Sequence, residues 1–304
     1  MSADASVLVN KNEDSPRGFA FALTAYLLWG FLPVYMKAVA HISPAEVIAH
    51  RIVWSLPIAG IVLLVLGRTQ DIGVALRSPR LLAMAALTAA LITVNWGTYV
   101  WAIGSGHSLD AALGYFINPL FSIFLGAVLL KEKLRPTQIA AIVLAGLAVV
   151  VLAFDSGGVP WVALTLTITW GLYAFFRKTL PLGPNQGFFL EVLILGIPAL
   201  LYILYLEFGS GEGHFYRTGM TDTALLLGCG LVTAIPLMIY ANGAKLLKLS
   251  TIGIMQYIAP TMIFLLAVFA FHEPLGTSRM IAFPLIWAGL FLYSWSMLRA
   301  SRRR

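Results

Sequence analysis

Charge is scarce in this chain. Of its 304 residues, 13 are Asp or Glu and 20 are Lys or Arg, which together make 11% of the sequence. A soluble domain carries about 25% charged residues. Hydrophobic residues make up 60% of the chain, which is more apolar surface than one water-soluble core can bury. The composition therefore predicts an all-α protein that crosses a membrane several times.

Cysteine and the common catalytic motifs are scarce or missing as well. Cys229 is the single cysteine, which excludes a disulfide framework. His272-Glu273 lacks the second histidine of a zinc-protease motif, and no glycine-rich loop with its lysine offers a phosphate site. The sequence also contains no Cys/His cluster that could bind a metal. We therefore expect no enzyme activity, no cofactor and no metal.

Long apolar runs fill almost the whole chain. A helix needs about 20 apolar residues to cross a bilayer, at a rise of ~1.5 Å each. The first run, from Gly18, is longer than the apolar part of a signal peptide, so we expect it to be a span. The ten predicted spans are 18–39, 44–66, 80–104, 108–130, 136–154, 159–178, 187–207, 222–246, 250–271 and 278–298.

The positive residues predict the orientation of these spans. If the N-terminus is cytoplasmic, 16 of the 20 Lys and Arg residues lie on the cytoplasmic side, three lie outside and Arg51 falls within a span. Positive residues are retained on the cytoplasmic side of a membrane. We therefore predict cytoplasmic tails at 1–17 and 299–304. This distribution explains the net charge of +7 without a nucleic-acid partner.

The chain repeats itself at an offset of 141 residues. The stretch 113–134 returns as 254–275, and Trp29-Gly30 returns as Trp170-Gly171. Apolar matches alone could arise by chance in so apolar a chain, but Trp-Gly, Pro, Lys and Glu all keep the same offset. We infer a duplicated unit of five spans. Because five is an odd number, the second copy enters the membrane upside down.

The two predicted repeats cover 18–155 and 156–298. An inverted repeat allows a site near the middle of the membrane to open to either face in turn. This architecture predicts a secondary transporter of small molecules. Two other readings stay open from the residues alone: a bundle that binds a ligand without moving it, and a membrane-embedded enzyme.

Several short motifs resemble one known family. They are 25–30 (AYLLWG), 49–51 (AHR), 95–96 (NW), 113–119 (LGYFINP), 256–257 (QY) and 260–261 (PT). Together they are similar to the RarD subfamily of the EamA drug/metabolite transporters, a resemblance that runs from about Gly18 to Arg299. The run LGYFINP is its most specific part.

The resemblance implies ten helices in two inverted five-helix repeats. It also implies a central cavity lined by spans one, three, four, six, eight and nine. The subfamily's label refers to chloramphenicol sensitivity, and related branches export amino acids and other small metabolites. We therefore expect an exporter, in the inner membrane of a bacterium, for small metabolites, amino acids or drugs.

Placing an ionisable side chain inside a membrane span costs free energy, so each such residue is expected to have a partner or a function. Glu46 and His50 are four residues apart and share a helix face. Arg51 requires an anion, for which Asp110 is the first candidate partner. Glu191 occupies the place equivalent to His50 in the second repeat, near the opposite membrane face. These residues could form a fixed polar clamp, bind substrate or couple transport to protons, with His50 as the better coupling candidate.

Amphipathic side chains inside the spans form a second group. Tyr and Trp offer apolar faces with one polar group, and Asn and Gln add uncharged hydrogen bonds. Such a lining suits a small molecule that is partly apolar, although each residue could equally serve packing or interfacial anchoring. The predicted substrate-binding residues are Trp29, Tyr99, Tyr115, Asn118, Trp170, Tyr240, Asn242, Gln256 and Tyr257.

Proline also recurs inside the spans. Pro119 and Pro260 are equivalent in the two repeats, so we predict matched bends that shape two gates. Glu132 and Glu273 end their spans at opposite faces, and we expect Glu132 to join a surface ion network. The partners we expect are a small-molecule substrate, protons as coupling ion and the lipid bilayer. Two five-span halves can act as a monomer.

Overall fold

All the regular secondary structure of the described residues is helical. The structure is a computed structural model, which describes residues 15–129, 131, 134–155, 159–244, 246–247 and 249–301 and contains no β-strand among them. Glu132 and most of the two predicted tails lie outside these residues. The helices are α1 (Pro16–Ala38), α2 (Pro44–Val65), α3 (Gln70–Leu76), α4 (Pro79–Gly104), α5 (Ser108–Leu129), α6 (Pro136–Asp155), α7 (Trp161–Thr179), α8 (Pro184–Leu204), α9 (Met220–Ala244), α10 (Leu249–Met255), α11 (Ile258–Leu265) and α12 (Thr277–Ser301).

Seven of the described helical stretches are both long and apolar enough to cross a membrane. They belong to α1, α2, α4, α5, α6, α8 and α9. In addition, α7 and α12 have 19 and 25 residues, and both overlap predicted spans. The composition-based prediction of an all-α membrane protein is thus confirmed.

Proline sets where many of these helices begin. α1, α2, α4 and α8 each have proline in the first turn, and α6 begins at Pro136. Proline suits this position because its fixed φ is helical and its missing N–H would have no partner there. At Ser78, which precedes α4, the hydroxyl also accepts a hydrogen bond from the Leu81 N–H at 3.4 Å. The sequence therefore encodes these helix starts locally.

The ninth predicted span is not one continuous helix. α10 ends at Met255 and α11 begins at Ile258, with Gln256 and Tyr257 in the turn between them. A π-helical segment, Leu266–Ala270, follows α11, and a similar segment, Tyr205–Ser210, follows α8. The sequence did not predict α3 either, which lies in a connection after Gly67.

Pro119 and Pro260 lie in different local structures, and the matched bends expected at these two residues stay a prediction. The chain breaks just before Pro260, whereas α5 continues through Pro119 as one helix. Pro119, inside α5, removes one hydrogen bond of its helix. Pro260 is the third residue of α11, where an N–H has no partner within the helix. In the second repeat α10 ends before Pro260, whereas in the first repeat α5 is uninterrupted before Pro119. Identical residues at equivalent positions therefore have different local structures.

One backbone feature does recur at the repeat offset. Lys131 and His272, 141 residues apart, both have φ of 54°. They are the described non-glycine residues with positive φ. A left-handed residue ends a helix and redirects the chain, so both copies of the duplicated stretch end in the same way.

The bundle is built largely by packing between the two halves of the chain. α1 and α2 pack against α9, α2 also packs against α8, and α4 and α5 pack against α7. On another side α6 packs against α12. The buried core runs through these contacts and is mostly Ala, Ile, Leu and Val.

The two Trp-Gly pairs occupy equivalent close contacts. A Cβ on Gly30 of α1 would lie closer than 3.0 Å to the Met262 side chain of α11, and one on Gly171 of α7 would lie as close to the Phe121 ring of α5. Met262 and Phe121 are themselves 141 residues apart. Glycine allows helices in a membrane to approach closely. The duplicated motif is therefore a packing element that joins the halves.

We predict that Gly30→Ala and Gly171→Ala destabilise the protein. The added methyl group must displace Met262 or Phe121, and such overpacking costs about 1–3 kcal/mol. The melting temperature of the detergent-solubilised protein would measure the loss. Gly146→Ala on α6 is the matched control, because nothing lies within 4 Å of a Cβ there. Equal melting temperatures for all three variants would show that the close contacts contribute no stability.

Candidate functional site

A cavity of about 160 Å³ lies between the two halves of the bundle. Its walls come from α1, α2, α4, α5, α7, α9 and the broken segment α10–α11. The residues that line it are Tyr26, Trp29, Leu32, Arg51, Trp96, Tyr99, Tyr115, Asn118, Trp170, Thr233, Leu237, Tyr240, Gln256, Ala259, Pro260 and Ile263. Both repeats contribute, so the cavity depends on how they pack.

Seven of the nine predicted substrate-binding residues meet in this cavity, and two do not. Those that line it are Trp29, Tyr99, Tyr115, Asn118, Trp170, Tyr240 and Gln256. Asn242 follows Tyr240 by two residues, which places it on a different face of α9, and its amide donates to the Met238 carbonyl at 2.8 Å. Tyr257 packs against the hydrophobic core.

Aromatic rings form two groups on the cavity wall. In the first, Tyr26, Trp29 and Tyr240 stand with their ring centroids 5.3 to 5.6 Å apart. In the second, the Tyr115 ring lies 5.8 Å from Tyr99 and 6.4 Å from Trp170. Edge and tilted contacts at these distances are favourable for aromatic pairs. The lining therefore offers broad apolar faces with phenol groups at their edges.

Arg51 is the charged residue among the described residues of this lining, and its side chain is almost completely buried, at 3% exposed. Its Nε donates to the Thr233 hydroxyl at 2.9 Å, and its guanidinium carbon lies 4.8 Å from the centre of the Trp96 ring. Its Nη1 is buried without a hydrogen-bond partner. None of the described ion pairs includes Arg51.

The prediction that Asp110 pairs with Arg51 is wrong. Asp110 instead accepts two hydrogen bonds from Arg279 of α12, from Nε at 3.1 Å and from Nη2 at 3.0 Å. The pairing was predicted from a similar depth of the two residues in the membrane. Asp110 lies in the first turn of α5, beside the N-terminus of α12, and therefore meets Arg279 instead. The pair is partly exposed, which removes most of the cost of burying either charge.

Asn95 orients the second aromatic group from behind the cavity. Its side-chain nitrogen donates to the Leu166 carbonyl at 3.1 Å and to the Thr169 hydroxyl at 3.0 Å. Its oxygen accepts from the Tyr115 hydroxyl at 3.2 Å. All three of these partners lie on α5 and α7, so one buried amide on α4 connects three helices and fixes the Tyr115 ring.

Glu46 and His50 share a helix face as expected, but they have separate partners. Glu46 accepts from the backbone N–H of His214 at 2.7 Å and lies 2.9 Å from Nδ1 of the same residue. His50 accepts a hydrogen bond from the Trp54 indole at 2.9 Å and stacks on Phe215 at 5.0 Å. Both residues thus hold the loop after α8 against α2.

Glu191 has a partner within its own half of the chain. Its carboxylate lies 3.2 Å from Nε of Arg177 and accepts from the Tyr173 hydroxyl at 3.2 Å. The Arg177 guanidinium also donates to the Pro184 carbonyl at 2.7 Å. Glu191 therefore joins α7 to α8 and is not part of the cavity lining.

The described ion pairs between the two halves lie at one end of the bundle, which we call the His41 end. It consists of the connections 39–43, 105–107, 211–219 and 271–276 and the adjoining helix ends. His41 contacts Asp222 at 3.0 Å, and Lys37 donates to the Ile103 carbonyl at 3.2 Å while lying over the Phe271 ring. The pairs Asp110–Arg279 and Glu46–His214 lie at the same end.

Glu273 makes the most specific contact at the His41 end. Its two carboxylate oxygens accept hydrogen bonds from the backbone N–H groups of Ser108 and Leu109, at 2.9 and 3.0 Å. These are the first two residues of α5, where N–H groups have no partner within the helix. A buried carboxylate of the second half thus caps a helix of the first half.

The remaining functional residues differ in how visible they are in the sequence. Arg51 stood out as a charge within a span, whereas Tyr26 and Trp96, which also line the cavity, are not among the residues predicted to bind substrate. Thr233 gave no signal, because a threonine in an apolar helix is ordinary. The capping role of Glu273 depends on a contact between residues 165 positions apart, which no local pattern reveals.

The architecture and the cavity agree with a family comparison. The EamA-like transporter family matches this chain twice, over residues 16–154 and 158–295. The chain therefore belongs to the EamA-like family of membrane transporters. The two matches also show that the unit is duplicated.

Relatives over nearly the full length place the chain among the RarD proteins of this family. It is 40% identical to Protein RarD of Streptomyces exfoliatus, over 96% of this chain and 93% of that protein. It is 39% identical to an uncharacterized transporter of Pseudomonas aeruginosa, over 94% and 96% of the two chains. A solved crystal structure with 19% identity covers 93% of this chain and 98% of its own, with a TM-score of 0.61, which shows a shared fold.

We predict that Glu273→Ala lowers the stability of the protein by about 1–2 kcal/mol, because two N–H groups of α5 lose a charged acceptor. Glu273→Gln keeps one acceptor oxygen and should lose less. The melting temperature in detergent measures both changes. Glu212→Ala is the control, since Glu212 is exposed in the same region. A loss for Glu212→Ala as large as for Glu273→Ala would contradict the capping role.

Proposed function

We propose that the protein is a secondary active transporter that moves small metabolites, amino acids or drugs across the inner membrane of a bacterium by alternating access. The observation that carries this proposal is the cavity between two copies of one repeat, lined by aromatic and amide side chains from both. A site at a repeat interface is the usual place for substrate in transporters of this architecture. Export is the direction that the family resemblance favours.

The proposed topology has ten crossings in two inverted five-helix repeats, with domains at 18–155 and 156–298. In it, α1, α2, α4, α5 and α6 form the first repeat. The second consists of α7, α8, α9, the broken pair α10–α11 and α12. Both termini are cytoplasmic in this proposal, because most Lys and Arg residues then lie on the cytoplasmic side. The His41 end then faces away from the cytoplasm.

Contacts between the halves suggest how the cavity opens. At the His41 end, Glu273 with α5, Asp110 with Arg279, and Glu46 with His214 each join one half to the other. We propose that these contacts break when the cavity opens to that side. At the opposite end the Ser15 N–H donates to the Leu246 carbonyl, and Gly18 lies against Gly243, so that side has its own contacts to release.

Proton coupling is part of the proposal, with Glu46, His50 and His214 as the groups closest to the moving contacts. Uptake into proteoliposomes tests it directly. Labelled amino acids and chloramphenicol would be supplied with and without an inward proton gradient. Transport that is lost when the proton gradient is removed supports coupling. Transport at the same rate without the gradient indicates a uniporter.

We predict that Asn118→Ala and Gln256→Ala each reduce transport at least about tenfold without unfolding the protein, because each removes a polar contact to substrate. Asn242→Ala is a matched control, since Asn242 lies outside the cavity. Flux in proteoliposomes gives the activity, and the melting temperature gives the folding. Unchanged transport by both cavity variants would show that Asn118 and Gln256 do not bind substrate.

A further inference from the structure

The cavity holds a cation that the described protein does not neutralise. Arg51 lies on the cavity wall, 3% exposed, and the described carboxylates that form ion pairs are engaged elsewhere. Glu46 pairs with His214, Asp110 with Arg279, and Glu191 with Arg177. The partners of the guanidinium are one hydroxyl and one aromatic face.

A buried cation without an anion is unfavourable. Moving an isolated charge out of water costs several kcal/mol or more, and a hydroxyl and a ring recover only part of that. In a membrane span such a residue is normally paired with an anion or functional. Arginine keeps its proton in proteins, so it cannot escape this cost by becoming neutral. The fold therefore maintains a positive site that is suited to receive a negative group.

Other polar atoms without partners lie on the same cavity. The Tyr99 hydroxyl and the Asn118 side-chain oxygen are both buried and have no hydrogen-bond partner, as is true of Nη1 of Arg51. Tyr99 and Asn118 are 3% and 6% exposed. Buried polar groups are nearly always satisfied, and these three atoms share one cavity, where a single bound ligand can satisfy all of them.

The rest of the wall sets the character of that ligand. Arg51 offers a planar set of donors that matches a carboxylate, with Nε already held by Thr233. The aromatic groups Tyr26–Trp29–Tyr240 and Tyr99–Tyr115–Trp170 enclose the remaining space. At about 160 Å³ the cavity is smaller than the ~300 Å³ typical of sites for drug-sized molecules.

We propose that the substrates are small organic acids, with one carboxylate bound by Arg51 and an apolar or aromatic body of about amino-acid size held between the aromatic groups. This inference rests on the proposed transport function, since it names the substrate class of the same cavity. Tyr99 completes the carboxylate site as a hydroxyl donor. Asn118 faces the polar group, if any, that the body of the acid carries.

Binding of matched acid and amide pairs tests this inference without knowledge of the natural substrate. The probes are 3-phenylpropanoate, hexanoate and phenylalanine, each compared with its primary amide, and titrated into the purified protein in lipid nanodiscs. Dissociation constants come from calorimetry or tryptophan fluorescence. The amides of 3-phenylpropanoate and hexanoate are neutral and enter lipid more readily than the ionised acids, so for these two pairs partition into the bilayer cannot produce a preference for the acid.

We expect at least one acid to bind about tenfold or more tightly than its amide, because a charge-assisted hydrogen bond is lost in the amide. Arg51→Gln should abolish this preference, and Arg51→Lys should retain part of it. Arg80→Gln is the matched control, since it removes one exposed positive charge outside the cavity. The acid–amide comparison on the unaltered protein needs no variant and stands even if Arg51→Gln fails to fold.

Four outcomes would overturn the inference. The first three are equal or tighter binding of the amides, acid binding that persists in Arg51→Gln, and no binding of any acid at about 1 mM. Chloride that displaces an acid as strongly as a second organic acid does would reduce the site to an inorganic anion site and overturn it too. Flux of a neutral compound in proteoliposomes would leave the transport proposal intact while this inference fails.

Discussion

Close approach of helices across the repeat interface is the constraint on which the rest of the structure depends. Gly30 lets α1 contact Met262 of α11, and Gly171 lets α7 contact Phe121 of α5. The neighbouring tryptophans, Trp29 and Trp170, then face the cavity between the halves. In lipid there is little hydrophobic force between helices, so small residues and close packing decide which helices associate. One duplicated dipeptide thus joins the halves and lines the space between them.

Charge is distributed in keeping with this packing. The carboxylates of Glu46, Asp110 and Glu273 are satisfied at the His41 end, by a histidine, an arginine and a helix N-terminus. There they connect the two halves without adding charge to the cavity. Arg51 differs because the described protein offers it no anion. The carboxylates at the His41 end have partners and stabilise the fold, whereas the Arg51 cation in the cavity has no anionic partner among the described residues and is available to bind a ligand.

Sequence reasoning was most successful where the signal is local or repeated. Apolar runs predicted the helices, and the 141-residue offset predicted the duplication. It was weakest where a contact joins distant residues. The pairing of Asp110 with Arg279 was missed because depth in the membrane does not reveal which helix is the neighbour. The different local structures at Pro119 and Pro260 show that equivalent residues need not share a backbone conformation.

The sequence by itself determined that this is a membrane protein of two similar halves, because composition, hydropathy and repeat are properties of the chain that do not depend on packing. It also supplied most of the cavity residues, since aromatic and amide side chains are rare enough inside spans to stand out. The tertiary structure decided which of them meet. Asn242 and Tyr257 were excluded by the face they occupy, and Thr233 and Glu273 were given roles by partners far away in the chain. Such contacts depend on how helices rotate and pack against each other, which no single stretch of sequence specifies.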